Sequence, residues 1–505
     1  MRHTIVLAAL LLGLTATVPS GLQAVRAAAE GRLPSVTGPI PMTETSRAFW
    51  DRTGPPREAA LKAGYLEEEY LVKGTANVYE WSAEGGDVPI VRTPDAPYTT
   101  RIIVRRPGKL SVFSGTVWVE LLNPTLSIDL DRMWQLHYAQ IIGDGDAYVG
   151  ITAKPVAMVA LQAFDPVRYG QLSMANPLAP AEQACGAMPG ESGYNPNTSK
   201  LYENGLIWDI VSQVGTILKS SSPANPLKTA AETVYGEGWS QTGGYAYRYL
   251  STFGPLATTS DGRRVYDGWL VGGGGGPAGI NQCSPTLPNT DPREQIEPRG
   301  VPVIAIRTQG DYFSFPYRRA DGDTPDNQYR LYELGGPSHD TVTIFQNFAP
   351  DADIIKAGVK PPDHTSCGYT ITTDFPYEHY FNAAAANLKL WSRGVEPPHA
   401  DRFRFDAKNQ NVLDRFGNAV GGLRSPYLDA PIATYHMGKT SGSFTCSLLG
   451  YKTPFNRNLL KKLYKDHDDY VSKVKQSTER LVKERFLQAE DAAKIINEAE
   501  KADVP

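Results

Sequence analysis

No block of basic residues interrupts this chain, and its formal charge is only −4 over 505 residues. That balance gives no footing for nucleic acid or an anionic membrane surface as a partner. Past the N-terminus no segment is long and apolar enough to span a bilayer. Cysteines are few: Cys185, Cys283, Cys367 and Cys446, too widely spaced for a zinc knuckle, with only His364 near one of them. The glycine run Gly272–Gly276 leads into Pro277-Ala278 rather than Gly-Lys-Ser/Thr, so it is not a phosphate loop. No internal repeat is visible, and neither a metal nor a cofactor is expected.

What is present fits a globular protein with a large core, at 41% hydrophobic and 21% charged residues. The 26 tyrosines and 8 tryptophans suit ordinary packing, and in smaller part a cleft for apolar or carbohydrate-like groups. At the N-terminus Arg2 gives a positive start, Ile5 to Leu14 an apolar core of signal-peptide length, and Ala27-Ala28-Ala29 a cleavage site. Residues 1–29 are therefore expected to be a signal peptide and the mature protein to be exported. Export makes the four cysteines candidates for two disulfides. Spacing alone leaves three pairings open; the expected one is Cys185–Cys283 with Cys367–Cys446.

Along the chain, strand patterns run over Tyr65–Tyr79, Tyr98–Arg105, Gly115–Leu122, Ala147–Ala153, Gly268–Val271, Val301–Arg307 and Tyr329–Leu334. Helical patterns run over Asp131–Ile142, Leu206–Lys219, Phe381–Ser392 and about Asn456–Ala502. Val301–Arg307 is continuously apolar, as in a strand buried on both faces of a parallel sheet. Alternating strands and helices predict an α/β, doubly wound, mostly parallel sheet, whose ligands bind at the carboxyl ends of the strands. Residues of about 160–200 are rich in Pro, Asn and Gly and read as a lid-like insertion. Those of about 400–505 read as an extension with a helical end.

The stretch that organises the rest is Thr233-Val234-Tyr235-Gly236-Glu237-Gly238-Trp239-Ser240-Gln241-Thr242-Gly243. A strand turns sharply into a helix at Ser240, between small neighbours that let the backbone pass close to itself. The helix that follows aims its first N–H groups at the same spot. A serine that merely caps the helix would leave the same string. The turn resembles the nucleophile elbow of the α/β-hydrolases, except that Thr242 stands where a small residue is usual. Serine ester hydrolysis also needs a base and an acid to orient it, in the chain order Ser, Asp or Glu, His. Ser240, Asp311 and His339 follow that order, each just past a strand, with acid and base 28 positions apart. Asp323, Asp326 and Glu333 compete as the acid; His364, His379, His399, His436 and His467 compete as the base. The oxyanion would be held by the N–H of Gln241 and by a donor near Asn123 or Thr125, in a loop with no His-Gly-Gly.

Gly64-Tyr65-Leu66-Glu67-Glu68-Glu69-Tyr70, Gly74-Thr75-Ala76-Asn77-Val78-Tyr79, the elbow, and Gly421-Gly422-Leu423-Arg424 before Pro426 resemble the large exported "alpha/beta hydrolase domain" proteins. The resemblance runs from about residue 35 to the end. It implies an α/β-hydrolase fold for residues 30–505 as one domain, and hydrolysis of a small-molecule carboxylic ester. Two other readings use the same residues: a hydrolase-fold protein that binds without turnover, or an amidase or acyltransferase with the same triad.

Overall fold

The computed structural model describes residues 33–49, 54–82, 86–313, 318–346, 349–363, 365–438 and 442–505. The expected signal peptide and His364 lie outside them. Ten strands form one mixed sheet: β1 (Ser35–Thr37), β2 (Tyr65–Trp81), β3 (Pro89–Pro107), β4 (Thr116–Leu121), β5 (Ala147–Ile151), β6 (Thr233–Trp239), β7 (Gly268–Gly272), β8 (Val303–Thr308), β9 (Gly322–Thr324) and β10 (Asn327–Leu334). Their order is β1-β2-β3-β5-β4-β6-β7-β8-β10-β9. The six neighbours β5, β4, β6, β7, β8 and β10 pair in parallel, and β1, β2, β3 and β9 join the edges through antiparallel pairings. This is the α/β-hydrolase architecture, and β6 lies at its middle.

The pleat of β6 sorts its neighbours onto two faces. Tyr235 and Glu237 point one way, to Ser392 (Oη–Oγ 2.5 Å) and to His137 (Oε2–Nε2 2.7 Å). Helices Arg132–Asp144 and Glu378–Trp391 cover that face. Gly236 and Gly238 point the other way, where helices Ile207–Lys219 and Gln241–Arg248 pack through stacked rings of Trp208 and Tyr245. Helix Arg132–Asp144 is interrupted at His137, whose backbone leaves the helical region (φ −144°) where its ring bonds Glu237.

Two segments differ from the sequence patterns for identifiable reasons. β3 starts at Pro89, nine residues before the expected Tyr98. Pro94 and Pro97 suggest a turn, but they flank a bulge against β2 where Asp95 takes φ 55° and its N–H bonds Asn77 Oδ1 at 3.2 Å. Residues 155–164 form a helix into which the expected insertion boundary at 160 falls. Its residues are apolar almost all round, so no period marks it.

The C-terminal part is three helices, Arg457–Leu463, His467–Lys483 and Ala489–Lys501, rather than one. Tyr470, Val474, Leu481, Ile495 and Val504 join the same hydrophobic core that begins at Phe49. A two-stranded ribbon, β11 (Ala433–His436) with β12 (Tyr451–Pro454), ties this part to the strand ends of the main sheet. Cysteines 185 and 283 are bonded, as are 367 and 446, closing loops of 98 and 79 residues.

Loops of that length predict a measurable contribution. Replacing Cys367 and Cys446 together by Ser should lower the unfolding free energy by about 2–4 kcal/mol. Denaturant titration with and without reductant checks this. An unchanged midpoint in the variant would contradict it.

Candidate active site

Ser240 ends β6 and begins the helix Gln241–Arg248, with φ 55° and ψ −115°. An L-residue held there costs about 1–3 kcal/mol, so the surroundings must fix it. Ser240 N–H donates to Gly272 O at 2.8 Å. Asn123 Nδ2 donates to the Trp239 carbonyl at 2.7 Å. Thr242 Oγ1 donates to the same carbonyl at 3.1 Å. Three bonds worth about 1 kcal/mol each are enough to offset the strain. Thr242 is thus the elbow's own clasp, which is why a residue with a hydroxyl fits there. Gly238 is required beneath it, because a Cβ would lie 2.4 Å from Thr242 O.

The Ser240 side chain makes no capping hydrogen bond to its helix. It is partly exposed, between the buried Trp239 and the exposed Gln241. A helix-capping role is therefore not what the residue does.

Asp311 lies in the turn Gln309–Phe313 after β8, and His339 in the loop after β10. The adjacent parallel strands bring the loops together, with Gly336 N–H on Gln309 Oε1 at 3.0 Å and Gly310 N–H on Pro337 O at 3.2 Å. The contact is so close that a Cβ on Gly310 would lie 2.6 Å from His339 N. His339 Nδ1 and Asp311 Oδ1 are 2.5 Å apart. The other carboxylate oxygen of Asp311 accepts from Thr308 N–H at 2.7 Å, which fixes its plane. The imidazole stands beside the elbow: its ring is 5.1 Å from that of Trp239. A Cβ on Gly273 (φ 57°) would lie 3.0 Å from its Cε1. The glycine run after β7 therefore makes room for the histidine ring. Burial disfavours the imidazolium, but the charge of Asp311, its hydrogen bond and Asp340 outweigh that and the opposing Arg132, so the His339 pKa is raised.

Ser240, His339, Asn123 and Thr125 line one cleft with Leu126, Leu130, Trp239 and Leu448, and the buried Arg132–Asp340 ion pair is also part of its lining. Asn123 accepts from Thr125 N–H through Oδ1 at 2.8 Å while bonding Trp239 O, so it braces the elbow. That leaves the Thr125 hydroxyl. Thr125 Oγ1 and Trp239 Nε1 are buried without a hydrogen-bond partner, an uncommon state that a ligand oxygen would relieve.

The competitors are engaged elsewhere. Glu333 is buried and held by Arg318 at 2.7 Å, Tyr312 and the Phe403 N–H. Asp323 pairs with Arg330, and Asp326 is exposed. His379 pairs with Asp491, His399 with Asp321, His436 stacks on Tyr451, and His467 starts a C-terminal helix. Among the described residues, Asp323, Glu396 and His399 are the one group close enough for a metal ion. They are exposed, and Arg330 already pairs with both carboxylates, at 2.5 and 2.6 Å. Sequence patterns gave no sign of Arg132, Asp340 or Leu448 at the cleft. Arg132 and Asp340 are 208 residues apart and meet only through the fold.

The family profile described as "Alpha/beta hydrolase domain" matches residues 36–497. No curated protein matches the sequence. Among solved structures, esterase Est22 aligns at 12% identity and TM-score 0.25, over 50% of this chain and 66% of its own, just under two thirds. A glucuronoyl esterase from Solibacter usitatus aligns at 8% identity and TM-score 0.28, over 62% and 88%. Another from Teredinibacter turnerae aligns at 11% and 0.28, over 62% and 78%. With the profile spanning nearly the whole chain, the protein belongs to the alpha/beta hydrolase domain family.

Proposed function

We propose that the protein is an exported serine hydrolase that cleaves a carboxylic ester through an acyl-enzyme. The observation that carries this is that one cleft is lined both by an uncapped, strained Ser240 and by an imidazole whose Nδ1 is bound to Asp311 at 2.5 Å. With Nδ1 so engaged, Nε2 is the nitrogen left to accept a proton. Ser240 Oγ attacks the ester carbonyl as His339 Nε2 takes its proton. The oxyanion is held by the Gln241 N–H at the helix start and by the Thr125 hydroxyl. Collapse returns the proton to the leaving alcohol, and water then releases the acid by the same steps. Two disulfides fit an oxidising compartment and hence export.

Ser240→Ala should fold with an unchanged melting temperature and lose hydrolysis of p-nitrophenyl acetate. Thr125→Val keeps the shape and removes one donor, so kcat should fall roughly 10²-fold with KM little changed. Wild-type rates in Thr125→Val would remove that residue from the oxyanion site.

His339 must be neutral to act as base, and its pKa is raised by Asp311. Activity should therefore fall on the acid side through a pKa above the ordinary histidine value of about 6.5. Asp311→Asn removes the raising charge, so the acid limb of kcat/KM should move to lower pH while kcat drops roughly 10⁴-fold. A limb that stays in place, or a dead Glu333→Gln beside an active Asp311→Asn, would overturn the assignment.

A further inference from the structure

We infer that the site takes esters of small acyl groups, acetyl in size, and that Leu448, Leu130 and Leu126 set the limit. This rests on the serine-hydrolase reading above. The cleft at Ser240 is partly open to solvent, and the space enclosed beside the serine is about 20 Å³, room for about one water molecule or a methyl group of similar size. Its polar side carries Ser240, His339 and Thr125; its apolar side is the three leucines and Trp239.

The walls are fixed by backbone rather than by pliable side chains. Leu130 and Asn123 exchange N–H···O bonds of 2.9 Å in both directions. The Leu448 carbonyl accepts from Asp340 N–H at 3.0 Å, directly after the histidine, and Leu448 lies two residues past the bridged Cys446. Trp239 is packed among Phe381, Tyr377 and Arg132 as well as His339. Leu126, only partly buried, stands at the rim. Cavities of about 320, 440 and 670 Å³ exist, but none of the three is lined by Ser240 or His339. They offer no continuation for a chain that starts at the acylated serine. Forcing extra methylenes against walls of this kind is destabilising, and one methylene changes selectivity by roughly 10–200-fold.

The test is kcat/KM for p-nitrophenyl acetate, butanoate, hexanoate and octanoate with wild type, Ser240→Ala, Leu448→Ala and Leu126→Ala. Wild type should be fastest on acetate and at least about 10-fold slower on butanoate. Leu448→Ala should raise the butanoate-to-acetate ratio by about 10-fold. Should that variant fail to fold, Leu126→Ala on the rim should shift the same ratio, and the wild-type series decides the size limit by itself. Hexanoate or octanoate equal to acetate in wild type would overturn the inference. An unchanged ratio in both leucine variants would remove those leucines as the limit. Failure of the underlying reading looks different: wild type and Ser240→Ala would then hydrolyse acetate alike.

Discussion

The backbone at Ser240 is the constraint from which the rest of the site follows. A residue at φ 55° and ψ −115° turns a strand into a helix within one position. The strand's side chains must then alternate so that Gly238 faces the returning helix, with Gly236 on the same side against the Trp269 ring. The turn is held from outside by Asn123 on the loop after β4 and by Gly272 at the end of β7, the strands on either side of β6. Both neighbours of the elbow strand thus take part in presenting one hydroxyl. The same turn starts the helix at that hydroxyl, so that its first N–H groups are the donors the proposed acyl transfer would use.

A second close approach matches the first. Gly310 lets the loop carrying Asp311 touch the backbone of His339, and Gly273 leaves room for the imidazole. The histidine is thus placed by three loops at the carboxyl ends of β7, β8 and β10, where a doubly wound sheet gathers its functional groups. From the far side the loop is closed by residues 446–450. Asp340 pairs in parallel with Leu449, and Ser338 meets His436 of the ribbon at 3.4 Å. The C-terminal part is therefore a wall of the cleft as well as a cover on the core.

Much of this was legible because it is local. The apolar run ending at Arg307 and the small residues around Ser240 each need only a few consecutive residues to be seen, and the order of serine, acid and histidine needs only their positions along the chain. Long-range features were not legible. Nothing near Arg132 announces Asp340, and nothing near Leu448 announces a place in the cleft. The roles within the Asn123–Thr125 loop also needed coordinates, since an amide that braces a carbonyl and a hydroxyl left unpartnered look alike in sequence. Helix 155–164 was missed because burial on nearly every side erases the periodicity by which helices are recognised. The early part of β3 was missed because its prolines serve a bulge rather than a turn.

The central claim is that Ser240 is a nucleophile, and covalent capture tests it most directly. Full-length protein treated with a fluorophosphonate should gain the mass of one phosphonyl adduct, on the peptide containing Ser240. Ser240→Ala should gain none. Wild-type protein that stays unlabelled, or that carries the adduct on a different serine, would contradict the account.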